Sequence, residues 1–315
     1  MFLLVAIVLV LFPHQAAEGA AEGLRFALER VIVAILPFSA ISSAMVFSGY
    51  AQKIGKLASP IFIRLNLNPY GAIAYIAGLL GGYPTGCRTV CDMYREGLID
   101  KADAESMLCY VNNGGLVFAM NVTGIAMWKD VRAGLYIFFV SAISALIASQ
   151  LFNRGCRVNS AAITPKEKTP FWAALGRGIG ASAGVGVNIV ASFVVFYAIG
   201  EALNLEKVPF LMGVWDMTKG ISYCAQLKNL PLAVLFFSFG GASVMAQSTA
   251  VLAECELSMR QMIKGKAASA AIAFLITYTA KALAGGIWES SVLAMLALIV
   301  IVVGIKLIKK LYAFA

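Results

Sequence analysis

Two charged residues within an apolar segment are the first candidates for chemistry in this chain. Asp216 and Lys219 lie three residues apart in the segment GVWDMTKG. A charged side chain at the centre of a membrane helix costs roughly 2.5 to 3.5 kcal/mol on insertion scales, so each should face the other, a ligand or water. Asp216 and Lys219 are therefore candidates for ligand binding. The alternative is that they only neutralise one another.

The segment GGYPTG, residues 81–86, interrupts another apolar run, and Arg88 follows one helical turn after Pro84. An unpaired backbone group costs several kcal/mol in a bilayer, so a helix is interrupted only where protein or water satisfies the freed groups. We expect a helix that resumes at Pro84 to direct its N-terminal amides into a cavity and, with Arg88, to form an anion site. The alternative is that the glycines allow close helix packing and that Arg88 is an interfacial charge that sets topology.

Amide side chains accompany two further glycine pairs. Asn112 and Asn113 precede one pair, and Gln247 follows Gly240 and Gly241. An amide offers both donors and acceptors to a polar ligand, whereas the alternative role of an asparagine here is helix capping. The predicted substrate-binding residues are Gly82, Tyr83, Pro84, Thr85, Arg88, Asn112, Asn113, Asp216, Thr218, Lys219, Gly240, Gly241 and Gln247.

Enzymatic chemistry is not predicted. His14 is the only histidine, which argues against Ser-His-Asp and Cys-His catalysis and against histidine metal sites. The six cysteines form no CxxC pair, and Cys87 with Cys91 lacks the further ligands that a metal site requires. We expect no catalytic residue, no metal and no cofactor.

Composition places these residues in a membrane protein. The chain is 60% hydrophobic and 13% charged, with a mean hydropathy of +0.83. Apolar stretches long enough to span a bilayer recur along it, which predicts an all-α polytopic integral membrane protein with the lipid bilayer as a partner. The net charge of +9 is typical of cytoplasmic-side charge that sets topology, so nucleic acid is not predicted as a partner. An oligomer is compatible with the sequence.

Polar stretches divide the chain into five parts. Residues 1–23 form an N-terminal apolar segment and linker, which we interpret as a retained membrane segment, with a cleaved signal sequence as the alternative. Residues 24–152 form a first membrane repeat and 171–308 a second. Residues 153–170 are a basic cytoplasmic linker, and 309–315 are a basic tail.

Two structurally repeated halves with broken or re-entrant helices are predicted. Gly81-Gly82 and Gly240-Gly241 interrupt apolar runs at comparable places in the two halves. Such matching interruptions point to a substrate site near the midplane. The number of crossings expected between the two basic segments favours parallel repeats, and inverted repeats are the alternative if a broken segment is a re-entrant hairpin.

The order of five motifs resembles a known family. The stretches GYPTG (82–86), YREGLI (94–99), NN (112–113), WDMTKG (215–220) and FGGASVMAQ (239–247) are similar, in this order, to nucleoside-recognition (Gate) domain membrane proteins. Within that family the chain most resembles the sporulation integral membrane proteins. The resemblance covers about residues 24–285, nearly the whole chain.

The chain also departs from the family pattern at three positions. Asp216 stands where the family usually has Glu, Lys219 where Asn is common, and Gly115 where Pro often follows the asparagine pair. An added lysine would suit an anion, and it would equally suit a member that handles another solute.

The resemblance implies a transporter that binds a small-molecule substrate. Its expected solute is dipicolinate, a flat aromatic dianion moved into the forespore during sporulation, and its expected location is the bacterial cell membrane, specifically the outer forespore membrane. A nucleoside or nucleobase transporter is the second hypothesis. A non-transporting structural subunit of a spore-envelope membrane complex is the third.

Overall fold

The computed structural model describes residues 2–152 and 169–284, which are helical and contain no strand. Its α-helices are α1 (Phe2–Leu11), α2 (Pro13–Phe26), α3 (Val33–Phe47), α4 (Tyr50–Arg64), α5 (Gly71–Gly81), α6 (Thr85–Arg95), α7 (Lys101–Val111), α8 (Val131–Phe152), α9 (Phe171–Ala202), α10 (Pro209–Trp215), α11 (Met217–Gln226), α12 (Leu230–Phe239), α13 (Gly241–Ala253) and α14 (Arg260–Ala284). Ala27–Ile32 and Phe118–Trp128 are π-helical, and Leu205–Lys207 is a short 3₁₀-helix.

Four helical segments of the described residues are long and apolar enough to cross a membrane: Pro13–Phe47, Val131–Phe152, Phe171–Ala202 and Leu230–Ala253. Large apolar side chains are exposed on the outside of the molecule, and serines lie buried within it. A surface of this kind suits a lipid environment. The predicted class, an all-α polytopic integral membrane protein, is confirmed.

The first long helix begins earlier than the sequence indicated. The stretch before residue 24 was expected to be partly a linker, but α2 starts at Pro13 and continues without a break through α3. Proline is favoured at the first position of a helix, and the alanine-rich sequence that follows has high helix propensity. Gly19 and Gly23 let α2 approach the backbone of α9 closely at Tyr197 and Phe193.

Two interrupted segments are hairpins that turn back on themselves. Between α5 and α6 the chain reverses, so that a Cβ on Gly78 would lie 3.5 Å from the Gly86 Cα. Between α10 and α11 it reverses again, and a Cβ on Gly220 would overlap the Cα of Gly213. The absence of side chains at these glycines allows the two arms of each hairpin to pack closely.

Two other interrupted segments continue in the same direction after the break. The helix α7 stops at Val111, and helix resumes at residue 116 after the extended stretch Asn112–Gly115. The helix α12 stops at Phe239 and α13 follows after Gly240, whose φ of +89° is the left-handed conformation that favours glycine. We refer to residues 101–128 and 230–253 as the discontinuous helices.

The two hairpins enter the molecule from opposite ends. Arg95, at the end of α6, donates to the Glu254 carbonyl at 2.7 Å, just beyond the end of α13. The turn between α6 and α7 therefore lies beside the C-terminal end of the second discontinuous helix. The turn between α11 and α12 lies at the N-terminal end of that same helix, where Lys281 of α14 reaches the Lys228 carbonyl at 3.3 Å.

The order of elements occurs twice along the chain. In each half a long helix is followed by a hairpin, a discontinuous helix and one further long helix. In this order the α5–α6 tip corresponds to the α10–α11 tip at Asp216, and the Asn112–Gly115 break corresponds to the break at Gly240. The doublets Gly81-Gly82 and Gly240-Gly241 are therefore not equivalent, because the first lies in a hairpin and the second in a discontinuous helix. Because the hairpins enter from opposite ends, the arrangement favours inverted over parallel repeats, and the duplication itself stays a prediction.

The helix α8 ends at Phe152, the last residue of the predicted first repeat, and α9 begins at Phe171, the first residue of the predicted second repeat. Residues 153–168 of the basic linker, the end of the second repeat from residue 285 and the basic tail 309–315 lie outside the described residues.

Candidate functional site

The four interruptions meet around one cavity. A Cβ on Gly82, at the tip of the α5–α6 hairpin, would come within 3.0 Å of the Gly115 nitrogen in the first discontinuous helix. A Cβ on Gly241, in the second discontinuous helix, would come within 3.1 Å of the Met217 nitrogen at the tip of the α10–α11 hairpin. Each hairpin tip is therefore seated against the break of the discontinuous helix that follows it.

The cavity has an apolar wall and a polar group of side chains. It has a volume of about 20 Å³, which is room for about one water molecule. Ligand pockets are typically several hundred Å³, so the cavity in this structure is too small to hold an organic solute. The lining residues are Val31, Ile35, Gly82, Tyr83, Gly114, Gly115, Phe118, Phe193, Asp216, Met217, Thr218, Ser243, Val244 and Gln247.

Asp216 is the acidic residue of the cavity wall. It is 1% exposed and forms the whole interruption between α10 and α11. Its Oδ1 accepts hydrogen bonds from the backbone amides of Thr218 (2.9 Å) and Lys219 (3.2 Å), and its Oδ2 accepts one from the Ser243 hydroxyl (2.7 Å). These bonds cap α11 and join the hairpin tip to α13. A carboxylate has about four lone-pair sites, so Asp216 can still accept from a solute.

Two polar groups of the lining have no hydrogen-bond partner within the described structure. The Oγ1 of Thr218 and the Nε2 of Gln247 are buried and unpaired, and their residues are 3% and 2% exposed. A buried unpaired polar group costs about 1 to 3 kcal/mol. A solute that satisfied both groups would recover that energy, which makes them the natural contacts for a polar ligand.

Arg88 does not reach the cavity. It lies on α6 with its Nε 3.0 Å from Asp92 Oδ1 and its Nη1 2.8 Å from Glu254 Oε2. Asp92 lies on α6 itself, and the pair with Glu254 joins the hairpin to the end of α13. Arg88 lies in the first turn of α6, where an anion site was predicted, but its guanidinium is paired with these two carboxylates.

Lys219 is also directed away from the cavity. Its Nζ contacts Glu201, and it lies 3.2 Å from Glu22 Oε2 and 3.0 Å from Glu206 Oε1. It lies over the ring of Tyr197, 4.8 Å from the ring centre. Of the three predicted charged residues, Arg88, Asp216 and Lys219, only Asp216 lines the cavity, and Lys219 has carboxylate partners of its own.

The remaining predicted residues lie at or beside the four interruptions. Asn112 donates to the Ser248 hydroxyl at 2.8 Å, and Asn113 donates to the Tyr110 carbonyl at 2.7 Å. These contacts hold the first break in place, in keeping with a structural role for the asparagines. Pro84 precedes the first residue of α6, Thr85, and Gly240 and Gly241 form the second break.

Lys266 of α14 was not singled out from the sequence. It is 4% exposed, and its Nζ donates to the Tyr83 hydroxyl and, at 3.0 Å, to the Asn112 carbonyl. The segment RQMIKGKAASAA resembles the basic entry of a helix at the membrane surface. The sequence signal for Lys266 is its position, two residues beyond Lys264, where the apolar part of the helix begins.

Within the described residues no group of three or more His, Cys, Asp or Glu side chains could hold a metal ion. The lining contains one carboxylate, from Asp216, and no basic side chain. Comparisons of the chain with protein-family models, with curated proteins and with solved structures give no match.

Proposed function

We propose that this protein is a membrane transporter for a small polar solute that binds between the two hairpin tips and the two discontinuous helices. One observation carries the proposal: four interruptions of buried backbone converge on a cavity with unpaired polar groups. Interrupted helices at membrane depth are typical of transporter binding sites, because freed backbone groups are tolerated only around a cavity or within protein.

The hairpins provide a physical means of alternating access. One tip closes the cavity from the end where α6 meets α7, and the other from the end where α11 meets α12. Withdrawal of one tip at a time would open the site to one side of the membrane while the other tip keeps it sealed. The small volume of the closed cavity requires such a movement before a solute can enter.

The lining favours a neutral solute with a flat ring. Phe118, Phe193 and Val244 offer apolar contact, while the Asp216 carboxylate accepts hydrogen bonds and the Gln247 amide donates them. A nucleoside or nucleobase, which carries both donors and acceptors on a flat ring, fits this chemistry. A dianion would meet the buried negative charge of Asp216 at close range.

A dicarboxylate such as dipicolinate is the second candidate. The helices α6 and α13 both begin at the interruptions, and neither N-terminus has a side-chain cap. Free amides at helix N-termini favour anions. On this proposal the protein would act in the membrane around the forespore of a sporulating bacterium, as its resemblance to sporulation membrane proteins implies.

Uptake into proteoliposomes tests the proposal. We expect labelled uridine to enter vesicles that contain the purified protein, excess unlabelled uridine to block this uptake, and Asp216→Asn to abolish it. Asp100→Asn, which changes the exposed cap of α7, is the matched control and should transport normally.

Uptake of dipicolinate with no competition from uridine would establish the second candidate instead. If neither solute moves, and spores carrying Asp216→Asn keep normal dipicolinate, a structural-subunit role would replace transport.

A further inference from the structure

Lys266 connects a hairpin tip to a discontinuous helix. Its ammonium nitrogen donates to the hydroxyl of Tyr83, at the tip of the α5–α6 hairpin, and to the carbonyl of Asn112, in the break of the first discontinuous helix. The nitrogen also lies 4.2 Å from the centre of the Tyr83 ring. The side chain that bridges these two elements therefore changes its surroundings whenever the tip moves.

Lys266 has no carboxylate partner within the described residues. The other two basic side chains of the interior, Arg88 and Lys219, are ion-paired with acids. An ammonium group sealed from water without an acid costs several kcal/mol, even after the surroundings relax. The closed tip therefore favours the neutral amine form of Lys266.

The hydrogen bonds fit the neutral form. An ammonium group has three N–H donors, and a neutral amine has two. The Tyr83 hydroxyl donates to the Phe237 carbonyl at 2.9 Å, so its oxygen is an acceptor for Lys266. This oxygen and the Asn112 carbonyl satisfy two donors, and the described residues offer no third acceptor to the Lys266 nitrogen.

We propose that Lys266 is the proton-binding group of this transporter, neutral while the α5–α6 tip is closed and protonated when the tip withdraws and water enters. On opening, an O–H bond of hydronium breaks and an N–H bond forms at the Lys266 nitrogen. On closing, that N–H bond breaks and the proton returns to water. The proposal rests on the proposed function, because it uses the same movement of the hairpin.

Other titratable groups on the elements around α14 are uncharged when buried. The buried ones are Tyr83 and Cys87 near the lysine, Cys109 and Tyr110 of α7, and Tyr136 of α8. The charged groups Lys101, Asp103 and Glu105 lie in the first two turns of α7, and Arg132 is exposed at the start of α8. The helix α12 has no titratable side chain. Burial favours the neutral forms of thiols and phenols, so among the buried groups around α14 Lys266 is the one whose preferred state changes when water enters.

Hydrogen exchange of residues 81–86 tests the proposal without any solute. In the wild-type protein, tip opening should increase as the pH falls from about 8 to about 6, by up to about tenfold per pH unit after correction for chemical exchange, because one proton is linked to opening.

Lys266→Met has no proton to bind, and Lys266→Arg stays charged, so both should lose this acid dependence. Lys281→Met, at the exposed end of α14, should match the wild type. A wild-type profile that follows chemical exchange alone overturns the proposal, even if the variants do not fold.

Transport measurements separate this proposal from the proposed function. Acidic buffer on the side to which the α5–α6 tip opens should speed uridine exchange by the wild-type protein, because protonation of Lys266 on that side favours the open tip, whereas exchange by Lys266→Met should not respond to this pH. Wild-type exchange that does not respond to the pH on that side removes the proton role alone. Absence of any solute movement removes the transport function itself.

Discussion

Asp216 has two roles that substitutions can separate: it caps α11, and its carboxylate faces the cavity. Asparagine retains the cap, so Asp216→Asn should unfold near the wild-type temperature while solute binding weakens by at least about tenfold, the equivalent of one lost hydrogen bond. Asp216→Ala should in addition lose about 1 kcal/mol of stability for the cap, and more for the unpaired Ser243 hydroxyl. Thermal unfolding and solute binding in detergent would measure the two effects.

Asp100→Ala is the matched control for the cap. Asp100 accepts from the Asp103 amide at 2.7 Å at the exposed start of α7, far along the helix from the break. This variant should lose about 1 kcal/mol of stability and bind solute normally. Equal loss of binding in the Asp100 and Asp216 variants would show that the cavity carboxylate has no special part in recognition.

The sequence predicted most of the polar residues that line the cavity, but it did not predict the distant partners in the ion pairs. Asp216, Thr218 and Gln247 could be predicted because a polar side chain in an apolar membrane segment is costly unless it faces a partner, a ligand or water. The long-range partners Glu254 of Arg88 and Glu22 of Lys219 could not, since they are more than a hundred residues away along the chain and are brought close only by tertiary packing.

The α5–α6 hairpin depends on the absence of side chains along its contact with α7. A Cβ on Gly86 would overlap the Val111 carbonyl oxygen, a backbone atom that cannot move aside alone. Gly86→Ala should therefore lower the stability by about 1 to 3 kcal/mol through overpacking. Thermal unfolding in detergent, followed by tryptophan fluorescence, would measure the loss.

Gly184→Ala in α9 is the control, because a Cβ there would meet no atom within 4 Å. Alanine is favoured over glycine inside a helix by roughly 0.5 to 1 kcal/mol, so this variant should be at least as stable as the wild type. Equal stability of the Gly86 and Gly184 variants would contradict the close packing of the hairpin on α7.

The interruptions of these elements were readable from the sequence, but the course of the chain after each one was not. Gly-Gly, Pro and Asn pairs predict a break because they disfavour helix or free its backbone groups. The same residue types occur where the chain turns back, at 82–84, and where it continues, at 112–115. Close approach of Gly78 to Gly86 decides between the two, and such a contact is tertiary.

The hairpins enter from opposite ends of the whole molecule, and this arrangement predicts which loops face the cytoplasm. The turn before α7 lies at the end where Arg177, near the start of α9, pairs with Glu96 at 2.7 Å. The basic linker precedes α9, and basic loops remain cytoplasmic. Lys101, the first residue of α7, should therefore face the cytoplasm, and Gln226, the last residue of α11, should face the other side.

Cysteine labelling tests this orientation. Lys101→Cys and Gln226→Cys both place a thiol at an exposed helix end, while the five cysteines of the described residues are buried in the parent protein. A membrane-impermeant maleimide should label Gln226→Cys in right-side-out vesicles and Lys101→Cys only in inverted ones, with the parent chain giving the background. Labelling of both variants from the same side would place both hairpins on that side, and alternate opening of the two tips would no longer expose the cavity to the two sides of the membrane in turn.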